Sequence, residues 1–421
     1  MKVIPYFQGL GEHIENAWLK HNYDEVVFPD LVLDVMGQRP PIGEVEVRDI
    51  VEWIFGDRQP FRQPTVHEFF GEPPVTLFQA PRFYIEALFW RSGTTAIHEH
   101  SFSGAFIVLA GSSVHSHWKF TREHTINSRM LCGRLDRMST EILHPGGMRP
   151  IYSGDRLIHQ LFHLEVPSIT IVARTYVDRR HLPQYRYLLP GLAIDSEDRD
   201  GTWMRRLVLL EAMAKGEIEG LRECSVKLIE SCDLETTFSV FSTLARRKVD
   251  EALMEELYNL ARQRHGDIVE LFRRVCEEER RTRIVANLRS KVSNPRARFL
   301  LALLMLMPDR DSIFETIQLE FPDSEPLEAI DACIEPMSGK ETIGFNFTAM
   351  NKLIFHSLVE GLDAENMLQR LQAEFGDDYI DQQRYRLLQH ARRLAGSPLF
   401  FPLLSPSPLR EDPLREKSQA G

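Results

Sequence analysis

The hydrophobic pattern of this chain is strand-like in its middle and helical after it. From Val75 to about Tyr176 the apolar residues fall in short runs, at 75–79, 83–90, 105–110, 113–120, 129–135, 157–163 and 168–176, parted by Gly, Pro and Ser. Runs of this length between turn residues predict strands, and their recurrence predicts a sandwich or barrel. Gly146-Gly147 and Ser153-Gly154 supply turns between the later strands. After Pro190 the period becomes helical. Trp203, Met204, Leu207, Leu210 and Met213 open it, and amphipathic stretches continue to about Leu394 with breaks at Gly216, Gly266, Pro308 and Gly361. Ahead of the strands stand a helical opening (Glu12 to Lys20), a loop at Arg39-Pro40-Pro41, and an amphipathic stretch carrying Val47, Ile50, Val51 and Ile54.

These changes divide the chain into a partly helical flanking segment (1–74), a strand-rich domain (75–190), an all-helical domain (195–396) and a proline-rich tail (397–421). At 421 residues the chain is too long for one ordinary core. The helical half shows no fixed repeat, so an α-solenoid and a bundle covering the barrel or forming an oligomer interface both stay open. Arg280-Arg281-Thr282-Arg283 follows Glu277, Glu278 and Glu279, which reads as a solvated helix face. The segment Pro398 to Leu404 is apolar enough to dock on its own protein or on a second copy in a homodimer, and the residues after Ser405 are expected to be disordered.

Composition narrows the class. A net charge of −11 argues against a nucleic-acid partner, because phosphate neutralisation needs a basic surface. Five widely spaced cysteines, at 132, 224, 232, 276 and 333, read as reduced thiols. No run approaches eighteen apolar residues and no signal-peptide pattern opens the chain, so a cytoplasmic protein without a membrane partner is expected.

Nine of the fifteen histidines fall between positions 98 and 181. His98 and His100 stand at i, i+2, so on a strand they share one face, and a third imidazole from a neighbouring strand can complete a facial set of three nitrogens that leaves metal positions open. His115 and His117 form another such pair, which could hold a second metal, orient substrate as acid and base, or be a plain strand ladder.

The pair His98-Glu99-His100, followed by the apolar run Gly104 to Gly111, resembles the first motif of the cupins, with Gly104 where an acid usually stands. Gly154, His159 and His163 resemble the second motif. The stretch from Phe83 to about Trp118 is similar to the cysteine-dioxygenase-like branch, which lacks the acid and binds iron(II) through three histidines. The resemblance implies a cupin barrel (a double-stranded β-helix or jelly roll) followed by the all-α domain. It also implies a metal held by His98, His100 and His159, with His163 on the same strand face as the alternative third ligand or a substrate-binding residue.

The pattern departs from that branch at the positions that select substrate. No thiol stands near Gly104, Val172 replaces a family histidine, Arg174 falls where a tyrosine would, and Thr76-Leu77-Phe78-Gln79 offers no cation. Arg174 and Tyr176 share a strand face with Val172, so either both look into the barrel, Arg174 binding a carboxylate and Tyr176 donating a proton, or both sit at a solvated rim. The leading expectation is an iron(II) dioxygenase acting with dioxygen on a small polar metabolite such as an amino acid or thiol derivative. The alternatives are a cupin doing non-oxidative chemistry with zinc, manganese or nickel, and a ligand-sensing scaffold whose helical half is the working part.

Overall fold

The computed structural model describes residues 2–56, 61–63, 71–91, 93–177, 179–195, 201–247 and 249–405. The chain divides into two compact units, Met1–Arg280 and Arg281–Gly421.

The first unit opens with three helices, α1 (Val3–Leu19), α2 (Phe28–Gln38) and α3 (Val47–Ile54). Among the described residues eleven strands follow: β1 (Pro74–Gln79), β2 (Phe83–Trp90), β3 (Ile97–His100), β4 (Gly104–Ala110), β5 (Ser113–Asn127), β6 (Met130–Leu143), β7 (Met148–Ile151), β8 (Gly154–His163), β9 (Ser168–Thr175), β10 (Tyr185–Leu188) and β11 (Leu192–Asp195). Their pairing defines the fold. β2 pairs with β9, β3 with β8, β4 with β7 and β5 with β6, all antiparallel, as in one long hairpin rolled up on itself. The further pairs β4 with β9 and β5 with β8 sort the strands into two sheets, β1-β2-β9-β4-β7 and β10-β11-β6-β5-β8-β3. This nested order is the jelly roll of a cupin barrel.

The first sheet is buried on both faces. Phe83, Ile85, Ala87, Ala105, Ile107, Ile169, Ile171 and Ala173 pack outward into a core with Phe7, Leu10, Ile14 and Trp18 of α1, Val32 and Met36 of α2, and Ile50 and Trp53 of α3. The alternate residues Leu88, Phe106, Val108 and Val172 face inward. Double burial explains why β4 reads as an unbroken apolar run, and β2 as one interrupted by Glu86, rather than as alternation. Helix α1 begins at Val3, earlier than the expected helical opening, because Val3, Phe7 and Leu10 continue the buried stripe.

The second sheet is closed by the hairpin of β10 and β11, which bridges β3 to β6. Neither strand is visible as an apolar run, and β7 is not either; each has four residues, too few to show a period. Helices α4 (Gly201–Ala214), α5 (Leu221–Ser231), α6 (Leu234–Ala245), α7 (Glu251–His265) and the start of α8 (Ile268–Lys291) complete the first unit. Leu210, Ile229, Phe238, Phe241, Leu257 and Phe272 share a core with Met130, Cys132, Leu188, Leu192 and Ile194 of the barrel.

The second unit contains α9 (Pro295–Leu306), α10 (Arg310–Glu320), α11 (Pro326–Ile334), α12 (Ala349–Val359), α13 (Ala364–Phe375), α14 (Asp377–Ala395) and α15 (Phe401–Leu404). From Ala297 to Leu306 every residue of α9 is buried, making it this unit's central helix. The apolar segment after Pro398 docks here: Phe400 is buried against Phe345 and Phe355. The tail expected to be disordered lies, from residue 406 on, outside the described residues. No helix among the described residues is long and apolar enough to cross a membrane.

Candidate metal centre

Strand β3 is four residues long and entirely buried, and both of its faces are used. Glu99 points away from the interior and accepts hydrogen bonds from the Tyr187 hydroxyl at 2.6 Å and the Tyr185 amide at 3.2 Å. Ser101 donates to Gln184 Oε1 through its amide and its hydroxyl. These bonds fasten β3 to the closing hairpin and set His98 and His100 on the inner face. In register, His98 lies opposite His159 of β8, which in turn lies opposite His117 of β5. One cross-strand row therefore gathers imidazoles from three strands.

The ligand atoms of His98, His100 and His159 all lie within 4.8 Å of one another, and all three residues are buried. Nε2 of His100 is 2.8 Å from Nε2 of His159, and Nδ1 of His98 is 2.8 Å from the Ala96 carbonyl oxygen, to which it donates. Burial lowers the pKa of each. His98 comes down to about 4 despite the opposing Ala96 bond, while His100 and His159 go further below the ordinary histidine value, burial being reinforced by neighbouring imidazoles. All three are thus neutral at physiological pH, the form that ligates metal. Three neutral buried nitrogens converging at ligand spacing fit a divalent ion.

Gly104, at the position where the cupin motif usually has an acid, is held to glycine by its neighbours. A Cβ there would lie 2.2 Å from the Ala173 carbonyl oxygen and 2.8 Å from the Arg174 Cα. The site has no room for a carboxylate ligand from this position.

The three histidines form one side of a cavity of about 50 Å3, whose other lining includes Leu88, Trp90, Phe102, Phe106, Ile151, Leu161, Thr170 and Val172. This is the room of roughly two water molecules. Its charged lining residues are Glu86 and Arg174. Arg174 Nε donates to Glu86 Oε1 at 2.7 Å, and its guanidinium lies over the rings of Phe102 at 4.2 Å and Tyr84 at 4.9 Å. Burial raises the pKa of the Glu86 carboxyl, and Arg174 opposes that rise.

The structure distributes the remaining sequence candidates over distinct places. His163 is buried but stands apart from the triad: its Nδ1 is 2.7 Å from Ser113 Oγ and its ring stacks on Trp90 with centroids 4.9 Å apart. Tyr176 is 40% exposed, donates to the Ala80 carbonyl and accepts from Gln79, and does not line the cavity. His115 lies behind His159, with His115 Nε2 2.9 Å from His159 Nδ1 and His115 Nδ1 3.0 Å from Glu141 Oε1. His117 is half-buried, its Nε2 4.0 Å from the same carboxylate oxygen.

Glu86 and Glu141 are the site residues that sequence reasoning passed over. Glu86 had a readable signal, a lone acid inside the apolar run Phe83 to Trp90. Glu141 had none, because its importance comes from the cross-strand register His115↔Glu141.

No family model matches the chain, and no characterised protein matches it in sequence. Solved structures similar to part of it include a hydroquinone 1,2-dioxygenase from a Sphingomonas species with 4-hydroxybenzoate bound, at 12% identity over 27% of this chain and 71% of that one, with a TM-score of 0.21. KdgF from a Halomonas species matches at 14% identity over 25% of this chain and 81% of its own, TM-score 0.18. A cupin-2 domain protein from Shewanella frigidimarina matches at 15% identity over 26% and 84%, TM-score 0.18. None of these likenesses bears on what this chain acts upon. The chain's own strand order and histidine cluster define it as a cupin-fold protein with a three-histidine candidate metal site.

Proposed function

We propose that this chain is a non-haem iron(II) oxygenase of the three-histidine kind found in the cysteine-dioxygenase-like cupins, using dioxygen on a small substrate. The observation that carries the reading is the convergence of three neutral, buried imidazoles on one wall of a largely apolar cavity, where Gly104 leaves no space for a fourth, anionic ligand. A divalent iron held by His98, His100 and His159 would keep its full positive charge and offer open positions to substrate and dioxygen.

The chain's own residues do the rest. Leu88, Trp90, Phe102, Phe106, Ile151, Leu161 and Val172 exclude water and favour an apolar substrate body. This moves the expected substrate away from a wholly polar metabolite, towards a small molecule with one polar or anionic group that meets the Glu86–Arg174 pair. Arg174 orients that group, and Glu86, whose proton affinity burial raises, would accept the proton of a substrate that enters with this group protonated, leaving the anion on Arg174. Any substrate larger than a few atoms requires a wall side chain to move, since the cavity holds about 50 Å3. Tyr176, bonded to Ala80 and Gln79, takes no part in proton transfer in this reading. We place the enzyme in the cytoplasm, consistent with its five free cysteines.

Metal content of protein purified without chelator, followed by oxygen uptake with iron(II) and a panel of small carboxylates, thiols and phenols, tests the proposal. One iron per chain with uptake on a panel member is expected. Three neutral imidazoles also suit zinc; stoichiometric zinc with no oxygen uptake would replace this reading with non-oxidative metal chemistry.

A further inference from the structure

We propose, resting on the metal-centre reading, that His115 is a positioning residue for His159: the series Arg149–Glu141–His115–His159 fixes the proton of His159 on Nδ1 and leaves Nε2 bare for the metal. The polarity of this series follows from its far end. Arg149 donates to Glu141 from Nε at 2.7 Å and also from Nη2. An arginine keeps its protons, and a carboxylate receiving them is an acceptor. His115 Nδ1, 3.0 Å from the same carboxylate, must therefore carry the hydrogen, and a neutral imidazole has just one. Its Nε2 is then an acceptor, and its partner at 2.9 Å, His159 Nδ1, is the donor. Nε2 of His159, turned toward His100, is left with a lone pair.

His98 reaches the same state by a separate route. The Ala96 carbonyl can only accept, so His98 Nδ1 carries the hydrogen and its Nε2 is bare. Two unrelated anchors, one a backbone carbonyl and one a side-chain series that reaches the surface at Glu141 and Arg149, impose the same tautomer on ligands from different strands. A metal-ligating histidine whose other nitrogen is held this way binds in a fixed orientation and with raised basicity.

Proton counting also decides between this role and a second metal site. The ligand atoms of His115, His117 and Glu141 lie within 4.8 Å of one another. An ion taking His115 Nδ1 would drive that ring's hydrogen to Nε2, make His159 Nδ1 an acceptor, and place the hydrogen of His159 on Nε2, where it blocks ligation. With neutral rings the two sites exclude each other, and the Arg149 charge on Glu141 further opposes a cation there. One metal per chain is the consequence.

Two measurements test the relay. In metal-free protein carrying 15N-histidine, nitrogen shifts should show His159 with Nδ1 protonated and Nε2 bare, and His115→Phe should lose that preference. In Co(II) titrations with chelator competition, His115→Phe should bind about 10- to 100-fold more weakly with an altered visible spectrum, and His115→Gln, whose amide oxygen can accept from Nδ1, should recover most of the affinity. Unchanged cobalt affinity in folded His115→Phe, or two cobalt ions per wild-type chain, would overturn the proposal. Wild-type protein that takes up no cobalt would instead sink the metal-centre reading, and the tautomer of His159 in the labelled protein would still decide the relay.

Discussion

Two walls of one cavity solve the same desolvation problem in opposite ways. On the β3-β8 side the ionisable groups are imidazoles, and burial removes their charge by lowering their pKa, His98 to about 4. On the β2-β9 side Glu86 and Arg174 are brought together as an ion pair at 2.7 Å. The difference lies in what each wall offers a ligand. Neutral imidazoles present lone pairs to a cation, whereas the ion pair presents a nearly neutral polar spot that a substrate must share or displace.

The comparison breaks most sharply on removal of a side chain from each wall. His98→Ala and His100→Ala should each abolish stoichiometric metal binding, measured by metal analysis after dialysis, while leaving the fold intact, because a neutral imidazole leaves no charge behind. Retention of a full metal equivalent in both variants would mean that these histidines are not ligands. Arg174→Ala should do the reverse. It leaves the Glu86 carboxylate buried without its partner, a loss of about 3–5 kcal/mol in urea unfolding, with metal content preserved. Replacing both, as Glu86→Leu with Arg174→Met, should restore most of that stability; a single variant costing less than about 1 kcal/mol would show that water reaches the pair.

How far the two walls could be read from sequence also differs. The histidine wall was legible because His98 and His100 stand two apart on a strand, where period-2 geometry puts them on one face. His159 came with a glycine-led motif, and the structure places it opposite His98. The ion-pair wall was half legible. The inward parity of Arg174 could be counted from Ser168, but its partner Glu86 lies 88 positions away on a strand that only the β2–β9 register brings alongside. The barrel itself was visible in its long doubly buried strands and invisible in β7, β10 and β11, which owe their existence to pairing rather than to any pattern of their own. Likewise, nothing local to residues 201–280 shows that Leu210, Phe238 and Phe241 share a core with Met130 and Leu192.

A milder test uses pH on metal-free protein. The folded pKa of His98, about 4, lies below its ordinary value of 6.5, so between those values the unfolded chain binds more protons than the folded one. Stability contributed by keeping His98 neutral is fully present above pH 6.5 and is lost as pH falls toward 4, by about 1.4 kcal/mol per unit of depression. Unfolding midpoints should fall over that window, and His98→Phe should flatten the fall. A wild-type profile that is level from pH 6.5 to 4 would show that the histidine wall is open to solvent.

The smallest expected effect separates the charge of Arg174 from its shape. Arg174→Lys keeps a cation beside Glu86, so stability should stay close to that of the wild type and metal content should be normal. An ammonium cannot reproduce the planar fork that lets one guanidinium nitrogen hold Glu86 while another meets a substrate anion. Losing one charged hydrogen bond of that kind costs about 1.5–3 kcal/mol, or roughly ten- to hundredfold in apparent affinity for the substrate that the oxygen-uptake panel identifies. A raised KM with little change in kcat would assign Arg174 to binding. Unchanged kinetics would leave the pair a purely structural bolt between β2 and β9, and the anion-binding role would pass to another base. Arg156 is the candidate on this chain: it lies over the Tyr152 ring at 4.4 Å and, with Arg180 and His181, lines a separate cavity of about 580 Å3.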